Sequence, residues 1–149
     1  MAIEVLHGNV NHTWRHDLES FFWLFLWICA TKEKKPYSGI WPDPIQPWTQ
    51  TPESARVQKW AQVTNKGDFN ELLDLFHGMF HNSVKKLAQE IKKVLFPLRV
   101  DTSEGEIRYI YLEDTERDAG YDKVIAAFDT CLEDKDLDQK VEGRRVEGC

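Results

Sequence analysis

Apolar and polar positions divide the chain into one fully apolar run, a proline-rich interval, three periodic stretches and a charged end. From Phe21 to Ala30 there is no polar side chain. A helix that is apolar all round has to be buried all round. A continuous apolar run has no period, so periodicity alone also admits a strand. Length and punctuation favour helix. Asp17 stands where it can cap the first turn, Ser20 falls within that turn, and Lys32, Lys34 and Lys35 put positive charge past the end, where the helix dipole favours it. The pattern predicts a central buried helix over residues 17–30 with the other helices packed around it. The run is too short for a membrane span, which needs about 20 apolar residues.

Residues 31–52 hold five of the six prolines, Pro36, Pro42, Pro44, Pro47 and Pro52, which exclude regular helix. Trp41 and Trp48 are interleaved with them. Such a stretch either binds a ligand surface or is pinned to the body by its aromatics, and the pinned loop is the commoner case. Thr51-Pro52-Glu53-Ser54 opens the next helix, with Thr51 as cap and Pro52 at the first position. It runs to Val63, with Val57, Trp60, Ala61 and Thr64 as its inward stripe, and Asn65-Lys66-Gly67 ends it. Asp68 then caps a stretch in which apolar residues recur at three and four from Phe69 to Leu98. Gly78 to Asn82 marks a break into two helices, and Pro97 ends the second.

Residues 99–120 are polar except for Ile107 to Leu112, whose alternation reads as a short strand with no evident partner. Tyr121 to Leu132 forms a last helix, with Val124, Ile125, Phe128, Cys131 and Leu132 inward. Residues 134–149 are charged without an apolar pattern and read as a disordered tail, leaving 1–133 as the domain. Residues 1–13 comprise an apolar piece, Met1 to Leu6, and a polar loop.

Composition adds limits. With 149 residues, 42% hydrophobic and 30% charged, the chain is one globular domain at most. A net charge of −6 argues against nucleic acid, whose phosphates require a basic footprint. Cys29, Cys131 and Cys149 have neither pairing nor metal-ligand spacing, which points to a reducing intracellular compartment, cytoplasmic or nuclear. Neither a secretory signal nor a membrane segment is read, so protein is the partner class left open.

His16-Asp17-Leu18-Glu19-Ser20-Phe21-Phe22-Trp23, preceded by Met1-Ala2-Ile3-Glu4-Val5-Leu6, resembles the fungal-type protein kinase family. The Asp-Leu-Glu-Ser element is also similar to casein-kinase-like enzymes. The likeness is specific over residues 1–30 and loose from there to about residue 130. It implies a mostly α-helical fold corresponding to the C-terminal lobe of a protein kinase, beginning at the end of the activation segment. Ala2-Ile3-Glu4 takes the place of the family's Ala-Pro-Glu-like motif, with Ile3 in place of proline. The resemblance further implies that Glu4 forms a buried ion pair with a later arginine, Arg99 or Arg117. It implies that Asp17 accepts hydrogen bonds from catalytic-loop amides, and without that loop Asp17 is left as a helix cap. Met1 then reads as an internal methionine of a longer kinase, or as the start of a short protein derived from a kinase lobe.

An active kinase needs a Gly-rich loop, a strand lysine paired with a helix glutamate, a catalytic-loop aspartate with its asparagine, and Asp-Phe-Gly. None is in this chain. Arg15-His16-Asp17 is not His-Arg-Asp, and Gly67-Asp68-Phe69-Asn70 lacks the glycine after phenylalanine and reads better as a helix cap. The expectation is therefore a partial kinase domain, inactive alone, without the ATP and magnesium that the intact family uses on protein serine or threonine. The alternative is a non-catalytic helical interaction module. No catalytic residue and no metal site are assigned. His77 and His81, four apart on a predicted helix with Asp74 a turn before, are weak metal candidates. His7, His12, His16 and Asp17 form a looser cluster.

Overall fold

The computed structural model describes residues 2, 3, 6, 13–32, 39–78, 80, 82–100, 107–109 and 117–133. The predicted tail lies outside the described residues. Among these the fold is mostly helical. Helix α1 spans Trp14–Thr31, a 3₁₀ turn spans Gln46–Thr49, α2 spans Pro52–Thr64, α3 spans Lys66–Asp74, α4 spans Asn82–Leu95 and α5 spans Arg117–Leu132. Strands β1, Leu98–Val100, and β2, Ile107–Tyr109, pair antiparallel with Leu98 opposite Tyr109 and Val100 opposite Ile107. The predicted strand thus has the partner that the sequence reading missed. Three residues directly after Pro97 form it, too few to show a period.

Helix α1 starts three residues before Asp17. Thr13 has extended backbone and occupies the cap position, and its backbone N–H donates to His16 Nδ1 at 2.9 Å. Asp17 is therefore not the cap. It stands exposed in the first turn. A donor at the cap meets an acceptor three residues on, the reciprocal arrangement of a capping box, with histidine in the place of glutamate.

The helix places Leu18, Phe22, Trp23, Leu26, Cys29 and Ala30 in a single continuous core. Each large side chain here stabilises the fold by roughly 1.5–3 kcal/mol relative to exposure. Helices α4 and α5 pack on one another and against α1, while α2 packs against α3 and the 3₁₀ turn. Phe22 meets Phe69 of α3 and Phe96 after α4, and Phe25 meets Phe76 and Phe128. At the far end of α1 the Cys29 carbonyl accepts the His77 N–H at 3.3 Å, tying the segment after α3 to the central helix.

The proline-rich interval is pinned. Trp41 packs edge-on to Trp27 at 5.0 Å between centroids and Trp48 edge-on to Trp23 at 5.2 Å. Gln62, on the inner face of α2, donates through Nε2 to the Pro44 carbonyl at 2.6 Å. Among the described residues between α1 and α2 regular α-helix is absent, yet Gln46-Pro47-Trp48-Thr49 closes one 3₁₀ turn, which tolerates proline at its start.

Two helix boundaries differ from the sequence expectation. Asn65, not Asp68, caps α3: its side-chain oxygen accepts the Gly67 N–H at 2.8 Å, and a Cβ on Gly67 would come within 3.2 Å of that oxygen. Asn65 also receives the end of α2, so one residue separates the helices. Helix α5 begins at Arg117, four residues before Tyr121.

The inward faces of two helices also differ. On α2 the buried residues are Ala55, Lys59, Gln62 and Val63, whereas Val57 and Trp60 face outward. On α5 Val124 is buried, Phe128 and Cys131 are half-buried, and Ile125 and Leu132 are exposed.

Candidate functional site

The feature with chemistry in it lies under α1. Glu19 is only 1% exposed, in line with His16, Trp23, Leu26 and Ala30 on the buried side of the helix. Its Oε1 accepts the Ile3 backbone N–H at 2.7 Å and the Trp23 Nε1–H at 3.0 Å. The second bond joins residues four apart, which a helix brings onto one face. Oε2 is buried without a hydrogen-bond partner among the described residues. Burial holds the Glu19 carboxyl above the usual carboxylate range, opposed by those two hydrogen bonds and by the attraction of Arg15 and Lys59.

Lys59 enters from α2 and is 6% exposed. Its ammonium lies 5.0 Å from the Trp23 ring centroid and 5.4 Å from that of Trp48. Both lie within the range at which a cation is drawn to an aromatic face. Burial pushes its pKa down to about 8, and Glu19 partly restores it. The centre therefore gathers the segment around Ile3, helix α1, the tryptophan of the 3₁₀ turn and helix α2 about one carboxylate and one amine. A shallow groove of about 350 Å³ opens beside it, lined by Ser20, Leu24, Trp27, Thr49 and Lys59. Its chemistry is that of a tie between segments: every assigned hydrogen bond of Glu19 goes to this chain's own backbone or indole.

The opposite side of α1 is apolar and open. Phe21, Leu24 and Ile28 are 47%, 55% and 51% exposed. They recur at three and four, one stripe of the helix. The expectation that this run is buried all round is therefore corrected: α1 is covered on one side by α3, α4, α5 and the tryptophan loop, and among the described residues Leu24 and Ile28 are left open while Phe21 touches Phe128 of α5 at its edge.

The residues singled out from sequence fall in different places. Glu4 lies outside the described residues. Arg99 is described as backbone in β1 and Arg117 as backbone at the start of α5, so the expected ion pair lies outside what is described. His77 stands in the turn after α3 rather than on a helix, and so the spacing argument for a shared helical face does not hold; His81, like His7 and His12, lies outside the described residues. His16 is buried and committed to the start of α1. No three His, Cys, Asp or Glu side chains converge among the described residues. Nor is any helix among them long and apolar enough to cross a membrane.

Glu19 and Lys59 are what the sequence reading missed. A signal existed: with His16, Glu19 interrupts an otherwise apolar register of 16, 19, 23, 26 and 30. A polar residue in a buried register needs a partner. Nothing in the sequence pointed to Lys59 as that partner, since Val57 and Trp60 of its helix suggest the other face as the inner one.

A family model described as fungal protein kinase matches residues 1–29, a stretch that ends two residues before the end of α1. Neither a curated protein nor a solved structure matches the chain. The likeness to a fungal protein kinase is therefore confined to the N-terminal segment and the central helix.

Proposed function

We propose that this chain is a partial fungal-type protein kinase domain, the helical C-terminal lobe, which does not transfer phosphate by itself. The observation that carries this reading is the family match over residues 1–29, which falls on the helix that organises the core. The buried tie at Glu19 supports it, because it fastens the backbone of Ile3, within the matched segment, onto α1. The residues that cradle phosphates and bind magnesium in an active kinase are not in the sequence. A melt of the purified chain with and without ATP and magnesium tests the reading. The expected result is a cooperative transition that nucleotide leaves unmoved. A magnesium-dependent rise in Tm would overturn it, because a ligand that binds only the folded state must raise stability.

A second reading is favoured by the bare stripe Phe21, Leu24 and Ile28: a helical interaction module whose α1 face receives a protein partner. Contiguous exposed apolar surface of this kind marks interaction sites. The two readings meet at one surface, for in a longer kinase domain the same stripe would be covered by other parts of the chain.

A further inference from the structure

A second cleft lies away from the Glu19 centre, between the start of α3 and the end of α4. Its floor is apolar, made by Phe69, Phe96 and Pro97, and its volume is about 460 Å³. Its charged rim is cationic only: Lys66, Lys92 and Lys93. In a chain of net charge −6 such a rim is a local reversal of sign. Lys93 is engaged at the surface by Glu90 at 2.6 Å. Lys66 and Lys92 have no ion-pair partner among the described residues.

Lys92 is the informative one. It is half-buried, and its ammonium stands 4.4 Å over the Phe69 ring centroid. Burial lowers its pKa. Taking a cation out of water without a counter-charge is costly, and an aromatic face returns only part of that cost. An anion seated beside it would return the rest. Between the lysines the exposed side-chain amides of Asn70 and Gln89 complete the rim. An amide offers both a donor and an acceptor, the pair that a peptide backbone presents in reverse.

We propose that this cleft is a docking site for an acidic peptide segment of a partner protein, carrying one aromatic or large aliphatic side chain between its carboxylates. The side chain enters the cleft against Pro97, above the buried rings of Phe69 and Phe96, the carboxylates meet Lys66 and Lys92, and the amides hold the backbone. The inference is independent of the kinase reading.

Isothermal titration calorimetry of the full chain with the peptide acetyl-Asp-Glu-Phe-Glu-Asp-amide tests it. The expected result is saturable binding at low salt that weakens at about 0.5 M salt, where screening acts over well under 10 Å. Lys92→Gln and Lys66→Gln should each weaken it about five- to tenfold, as loss of one charge-assisted contact does. Both variants should melt like the parent, since neither removes core volume. Replacing the peptide's phenylalanine by serine, or its acids by their amides, should abolish the heat. No binding by the parent at millimolar peptide overturns the proposal, as does unchanged binding by both variants. Equal affinity for phenylacetate would overturn the peptide assignment in favour of a small-anion pocket.

Discussion

The two sides of α1 break the same rule in opposite directions. The inner side buries His16 and Glu19 among tryptophans and leucines, while the outer side leaves Phe21, Leu24 and Ile28 in water. Helix α2 repeats the inversion, with Lys59 and Gln62 inward and Val57 and Trp60 outward. A helix satisfied by burial alone would be arranged the other way. The inner polar groups are there to fasten particular segments to one another, which apolar contact, being non-directional, does not do. Glu19 holds the backbone at Ile3, His16 closes the start of α1, and Gln62 holds the Pro44 carbonyl. The outer apolar groups have no such task within the described residues and remain available to something else.

The sharpest way to break this contrast is to remove the inner carboxylate. Glu19→Ala leaves the Ile3 N–H and the Trp23 Nε1–H without their acceptor and takes the nearby negative charge from Lys59. Leaving two buried N–H groups without an acceptor costs about 1–3 kcal/mol each, a large share of the 5–15 kcal/mol by which domains are typically stable. Glu19→Gln keeps an acceptor for both N–H groups and should cost visibly less. Urea denaturation of the two variants measures both. A loss below about 0.5 kcal/mol for Glu19→Ala would show that the inner centre fastens nothing.

The next effect is smaller and concerns pH. The Lys59 pKa is lowered from 10.5 to about 8 in the folded chain, so above pH 8 the unfolded state holds more protons than the folded one. Stability must then rise with pH. The rise does not continue freely. Burial pushes the Cys29 thiol from 9.0 up to about 12, so above pH 9 the folded state keeps a proton that the unfolded chain releases, and stability falls on that account. From pH 8 to pH 9 Lys59 dominates, adding about 1 kcal/mol, of which the onset of the Cys29 effect takes back about a third. Lys59→Met should remove that rise. A parent curve that falls from pH 8 to pH 9 would mean that Lys59 is solvated, and that the inner face is less closed than its burial implies.

Much of the helical frame was legible because it rests on local rules. Thr51-Pro52 starts α2 as read, its Thr51 hydroxyl accepting the Ser54 N–H at 3.0 Å, and α4 stops just before Pro97. The break between α3 and α4 falls around Gly78, and Trp41 and Trp48 pin the proline-rich interval as read. What failed was the choice of face. Val57 and Trp60 read as the inward stripe because apolar residues are the usual inward ones. Lys59 stands there instead, and the cost of burying its ammonium is offset in part by two indoles and a carboxylate, of which Trp48 and Glu19 are 11 and 40 residues away in sequence. No window along one helix contains that information. The cap of α1 is hidden for a local reason: His16 takes a role usually filled by glutamate or glutamine, so Thr13 does not announce itself as the cap.

The smallest expected effect on stability tests the outer face. Leu24→Ser together with Ile28→Ser replaces two side chains that are more than half exposed. Surface changes of this kind usually fall within about 0.5 kcal/mol, with a few tenths more from the lower helix propensity of serine. Urea denaturation should therefore barely distinguish the double variant from the parent. Binding of an apolar dye, and any concentration-dependent association seen by sedimentation, should fall clearly. That pairing of outcomes is what separates the two faces: one carries stability with little surface, the other carries surface with little stability. A loss of several kcal/mol instead would mean that Leu24 and Ile28 are packed in the folded chain, and the outer stripe could no longer be read as a face awaiting a partner.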